Sequence, residues 1–193
     1  MPDHIKPKPH QIEVWAQLFL CPEDCSRIRE FFVARFGVKP NRVIRNMHLT
    51  VYHARRPMPG IRTGSWHVNL ILRASETRFM VMTPGGENPR PDIDPAGRSV
   101  GVRVHKRSAA MRDIQDYRKQ LLKHETMRVL GPRSPSTATS SAFGARYFQP
   151  HMVILRPGSG IGRDLSLIGG PFRETLGELR FDRFVVEIAR KQG

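Results

Sequence analysis

Cysteine is nearly absent: Cys21 and Cys25 are the only two in 193 residues. Two thiols are too few for a disulfide framework, and no second pair exists to complete a zinc site. A reducing, cytoplasmic compartment is the simplest expectation. Long apolar runs are missing too, none approaching the length of a membrane span. The stretch from Met1 to His10 is polar, carries three prolines and lacks the apolar core of an export signal. No membrane partner is expected. Acidic residues are scarce, 17 against 32 Lys and Arg, and the net charge of +15 is spread along the chain rather than gathered in a tail. A polyanion is the expected partner, RNA or DNA first. Metal-binding spacings such as H-E-x-x-H are absent, so neither a metal nor another cofactor is expected.

What is present fits one domain. The length suffices for a single core and is short for two, while 16 Gly and 16 Pro indicate many loops. Residues 1–11 read as a flexible N-terminal segment. Residues 131–145, rich in Pro, Ser and Thr, read as a mobile loop. A monomer is the expected state.

Periodicity supplies the elements. Glu13 to Leu20 reads as a strand, followed by a helix bearing Ile28, Phe31, Phe32 and Phe36, with Pro22 in its first turn and Gly37 at its end. Val43 to Ala54 is a second strand. Trp66 to Leu72 and Arg78 to Met82 read as a hairpin. Ser99 to Lys106 alternates Val100, Val102 and Val104, and Ser108 caps a helix carrying Met111, Ile114, Tyr117 and Leu121. Tyr147 to Leu155 is a further strand, and Arg180 to Ile188 a last one after a Gly/Pro-rich turn region. Strand, helix and strand therefore recur, and such a duplication would relate the two halves by a pseudo-twofold axis.

The second strand of each half contains an apolar run that starts with a histidine. In His48-Leu49-Thr50-Val51 the strand period puts His48 and Thr50 on one face and the apolar pair on the other. In His151-Met152-Val153-Ile154, His151 and Val153 share a face. If the two strands lie side by side, the imidazoles converge. One neutral imidazole can take a proton from water while an imidazolium gives one to a departing oxygen. The Thr50 hydroxyl can hold a non-bridging phosphate oxygen. A pair of satisfied structural histidines is the plainer alternative, and the repeated context argues against it.

On these residues the chain resembles the two-histidine (2H) phosphoesterases, which include 2′-5′ RNA ligase-like proteins and RNA cyclic phosphodiesterases and carry a pair of H-h-[S/T]-h motifs, h being apolar. The first motif matches at every position. The second has Val153 where the family has Ser or Thr, which removes one hydroxyl from the phosphate. The resemblance runs from about Glu13 to Ala189 in element order. It implies an α+β, bilobed fold of two pseudo-symmetric antiparallel-sheet lobes with helices outside and a central cleft. It also implies metal-independent hydrolysis of a 2′,3′-cyclic phosphate, on RNA ends or nucleotides, by His48, Thr50 and His151. A catalytically decayed RNA-binding protein and a 2′-5′ RNA ligase are the alternatives.

Further substrate contacts are expected from side chains near the motifs. Tyr52, two residues beyond Thr50, falls on the face of His48 by simple alternation, whereas His53 alternates away. Arg103 and His105 point opposite to the valines of their strand. Arg146 and Tyr147, just before the second motif, offer a phosphate contact and a base-stacking ring. Gly158-Ser159-Gly160-Ile161-Gly162 is read as a flexible turn, since Arg163 breaks the dinucleotide-binding pattern.

Overall fold

In the computed structural model, which describes residues 12–55, 57–82, 97–125, 127, 148–161 and 165–190, alternation builds the first strand, β1 (Ile12–Leu20). Val14, Ala16, Leu18 and Leu20 are buried on one face, with Trp15, Gln17 and Phe19 half-buried on the other. Helix α1 (Pro22–Phe36) starts on a proline, whose missing N–H costs nothing in the first turn. It ends at Gly37, whose φ of 63° closes the helix with an N–H bond to the Val33 carbonyl. Strand β2 (His48–Ala54) follows, then β3 (Gly64–Arg73), β4 (Thr77–Met82) and β5 (Ser99–Val104). Helix α2 (Ala109–His124) is capped by Ser108, whose Oγ accepts the Met111 N–H at 3.1 Å, as the sequence predicts. Strand β6 (His151–Leu155), helix α3 (Ser166–Leu176) and strand β7 (Glu178–Arg190) complete the fold.

The architecture is α+β. Seven antiparallel strands form one open sheet in the order β3-β7-β1-β2-β6-β5-β4. The two histidine strands are neighbours at its middle, each flanked by the strand that precedes it in the recurrence, β1 beside β2 and β5 beside β6. The expected hairpin does not form. Strands β3 and β4 lie at opposite edges, β3 paired with β7 and β4 with β5. The short 3-10 turn Ala74–Glu76 between them carries the chain from one edge to the other instead of folding it back.

All three helices cover the same face, the one that carries Leu18, Leu49, Val102 and Met152. Phe32 meets Phe79 of β4 at 6.2 Å and Phe31 meets Phe172 of α3 at 5.5 Å, while Tyr117 of α2 lies 4.8 Å from Phe184 of β7. Phe31, Phe32, Phe172 and Phe184 are buried, and burial of such a ring contributes on the order of 1.5–3 kcal/mol. That packing explains α3, where the sequence reads as a turn because of Gly169-Gly170-Pro171. Ile168, Phe172 and Leu176 recur at four-residue spacing and are buried, so the tertiary contacts outweigh a poor local propensity.

One irregularity reorders the site. Ala16 pairs with Tyr52 and Gln17 with Thr50, which leaves Val51 as an extra residue, a β-bulge. Arg118 of α2 is buried and donates through Nη1 to the Val51 carbonyl at 2.8 Å. Past the bulge the alternation changes phase. Tyr52 therefore turns into the helix-covered core, fully buried, with its hydroxyl on Met58 Sδ. His53 turns to the face opposite the helices, where its ring stacks on Trp15 at 3.6 Å. Both placements correct those read from simple alternation.

Among the described residues no helix is long and apolar enough to cross a membrane.

Candidate active site

Leu49 of β2 and Met152 of β6 are registered partners at the centre of the sheet. One residue to either side, the antiparallel register sets Thr50 across from His151 and His48 across from Val153, all four on the face opposite the helices. His48 and His151 are thus diagonal neighbours, a relation that separates Cβ atoms by roughly 7–8 Å. A twofold axis normal to the sheet through the Leu49–Met152 pair exchanges His48 with His151 and Thr50 with Val153.

The two imidazoles are held alike. His48 Nδ1 lies 3.3 Å from the Asn46 carbonyl oxygen, and His151 Nδ1 lies 3.0 Å from that of Gln149. A carbonyl only accepts, so each bond requires the proton on Nδ1 and leaves Nε2 as the nitrogen that exchanges protons with a bound molecule. Both rings are half-buried. Burial lowers the pKa of His48 below its ordinary value of 6.5, the nearby His151 charge adds to the lowering, and the Asn46 bond and Glu187 work against it. His48 is therefore neutral at pH 7.

Arg103 of β5 is registered with His151, so that Arg103, His151 and Thr50 occupy one row across three neighbouring strands. The Arg103 guanidinium bonds to the Gln149 side-chain oxygen. Gln149 thus holds both members of this half of the site, His151 through its backbone and Arg103 through its side chain. The other row is apolar around its histidine: Gly101 faces Val153, and the Phe19 ring sits 5.3 Å from that of His48. The immediate neighbours are polarised, with a cation and a hydroxyl flanking His151 and an aromatic ring beside His48.

The other expected residues divide. His105 is exposed just past the end of β5, its N–H on the Glu76 carbonyl. Tyr52 is in the core. Arg146 and Tyr147 lie outside the described residues, as does the loop at 131–145. Phe148 packs against the core, with Arg118 stacked 4.2 Å over its ring. Sequence reasoning passed over Gln149, Asn46 and Phe19. A carboxamide residue stands two positions before each histidine, which was a signal available in the sequence. Neither cysteine offers a nucleophile, since burial pushes both thiols above their ordinary range. Among the described residues no group of three or more His, Cys, Asp or Glu is placed to hold a metal ion.

No known family model matches the chain, and no curated protein matches it in sequence.

Proposed function

We propose that the chain is a two-histidine, metal-independent phosphoesterase that opens a 2′,3′-cyclic phosphate, with a bilobed organisation in which β3-β7-β1-β2 and β6-β5-β4 form the two halves. The observation that carries the reading is the pair of dyad-related histidines, each with Nδ1 on a backbone carbonyl and Nε2 left for proton exchange, on adjacent strands and on the face opposite the helices.

In the hydrolytic direction His48, kept neutral by burial, is the base. Its Nε2 takes a proton from the attacking water as the water oxygen bonds to phosphorus. His151 gives its Nε2 proton to the ribose oxygen as the P–O bond of the ring breaks. The two steps leave a phosphate monoester and a free hydroxyl. Thr50 and Arg103, beside His151, fit the non-bridging oxygens, whose charge grows in the transition state. Arg103 and Thr50 thus serve the His151 row, while on the His48 row Val153 supplies no hydroxyl.

The +15 charge and Val153 favour a second reading, an RNA-binding protein with a decayed site. Both are tested by incubating the protein in EDTA with 2′,3′-cyclic nucleotides and an RNA oligomer ending in a 2′,3′-cyclic phosphate. His48→Ala and His151→Ala are run alongside. Ring opening, lowered about 10²- to 10⁴-fold in each variant, is the expected result. No ring opening, with salt-sensitive RNA binding intact in both variants, would establish the binding protein instead.

A further inference from the structure

A cleft of about 600 Å³ opens beside His48, at the end of the sheet where α1 begins. Its size falls within the range of about 300–1,000 Å³ that small-molecule sites occupy. Asn46, whose carbonyl orients His48, is in its wall. Its floor continues the His48 row across the sheet: Phe19 is registered with His48, Arg183 with Phe19, and His67 with Arg183. The Arg183 guanidinium stacks 4.7 Å over the Phe19 ring. Arg29 and Arg45 close the walls, and Asp182 is the one carboxylate among the described residues that line it.

Three arginines facing a single carboxylate make a site for an anion, and guanidinium forks match phosphate geometry. The phosphate that reacts lies elsewhere, between His48 and His151. With strands about 4.8 Å apart, Arg183 stands roughly 10 Å from the His48 position, two strands along the row. A cyclic mononucleotide has no second phosphate to place there. A nucleotide chain does: its next phosphate follows on the 5′ side of the residue that bears the cyclic group. In the floor the Phe19 ring and the Arg183 guanidinium on it form a flat pair against which any base can stack.

We infer that the cleft beside His48 binds the nucleotide and phosphate on the 5′ side of the cyclic phosphate, so that the substrate is the 3′ end of an oligonucleotide rather than a mononucleotide. The inference rests on the phosphoesterase reading above for the position of the reacting phosphate. Arg45 and Arg183 hold the second phosphate, and Phe19 orients the base between the two.

The test compares adenosine 2′,3′-cyclic phosphate with a diadenylate ending in a 2′,3′-cyclic phosphate. The proteins are the full chain, the double variant Arg45→Ala/Arg183→Ala, and Arg112→Ala on the exposed side of α2. The full chain is expected to favour the diadenylate in kcat/KM by about tenfold, the worth of one charge-assisted phosphate contact. The double variant should bring that ratio close to one and Arg112→Ala should leave it alone. Equal kcat/KM for the two substrates, or a ratio that survives the double substitution, overturns the inference. Affinity for a fluorescent decaadenylate is read separately with the histidines replaced, His48→Ala/His151→Ala. Loss of affinity on adding the Arg45 and Arg183 substitutions supports the cleft even if no ring is ever opened. Unchanged affinity overturns it independently of catalysis.

Discussion

Thr50 lies across the β2–β6 register from His151, while the residue that the central twofold axis derives from Thr50 is Val153, across from His48. One half of the site thus has a hydroxyl beside the opposing histidine and the other half has an isopropyl group. If a hydroxyl steadies the developing charge on phosphate, Thr50→Val should lower kcat on a 2′,3′-cyclic nucleotide by about 10²- to 10³-fold. Val153→Thr, nearly isosteric and half-buried, should raise it by about tenfold or more. Steady-state kinetics of the two variants decide the matter. A Thr50→Val protein as fast as the parent would remove the hydroxyl from the chemistry.

The pH dependence follows from His48. Burial lowers its pKa from 6.5, and a base must be neutral to act, so the acidic limb of kcat/KM should fall below pH 6.5. Stability obeys the same linkage. The unfolded chain takes up this proton near 6.5 and the folded one only at lower pH, so between those values the unfolded state binds more protons. The folded state therefore loses stability as pH drops through that window, and regains it as pH rises. His48→Gln should remove that part of the dependence. Urea melts of both proteins across pH 5 to 7 would show it, and parallel curves would contradict the assignment.

Much of this arrangement was legible in the sequence. The period-2 runs marked β1, β2, β5, β6 and β7, the 3.6-residue runs marked α1 and α2, and the repeated order of strand, helix and histidine strand anticipated the central position of β2 and β6. Three features were hidden for physical reasons. The bulge at Val51 leaves no local signature, because it is held by Arg118 from an element about 67 residues away in the chain, and so Tyr52 and His53 came out on each other's faces. Helix α3 contains Gly-Gly-Pro and exists through its packing on Phe31 and Phe79. The pairing of β3 with β7 is a long-range choice that adjacency in sequence misrepresents.

Arg118 is the test of the bulge. Its guanidinium is buried, donates to the Val51 carbonyl and stacks on Phe148, and burial lowers its pKa. Arg118→Met keeps the stem but removes the donor from a buried carbonyl. A charge-assisted bond of this kind is worth about 1.5–3 kcal/mol. For a chain of this size that corresponds to a fall in Tm of roughly 5–10 °C. Calorimetry should show the fall, together with lower activity, since the phase of β2 sets Thr50 and His48. A Tm within a degree or so of the parent would mean that the bulge holds itself.

The same substitution at two glycines should act with opposite signs. A Cβ on Gly101 would meet the Met152 carbonyl oxygen at 2.4 Å and Val153 Cα at 3.2 Å, so β5 sits too close to β6 for any side chain there. The oxygen belongs to backbone in the middle of the sheet and cannot swing aside. Gly101→Ala must therefore spread the two strands, at a cost of about 1–3 kcal/mol. Because Gly101 is registered with Val153 and Arg103 follows two residues later, the spreading reaches the histidine row and should lower activity as well. At Gly169, inside α3, the contact a Cβ would make is with the end of the flexible Arg173 side chain, at 4.0 Å. There Gly169→Ala restricts the unfolded chain and favours the helix, a gain of about 0.4–1 kcal/mol. Thermal melts of the two variants should move in opposite directions. A Gly101→Ala protein as stable as the parent would show that the central strands can separate without loss, and the close registration of the two histidines would then need another support.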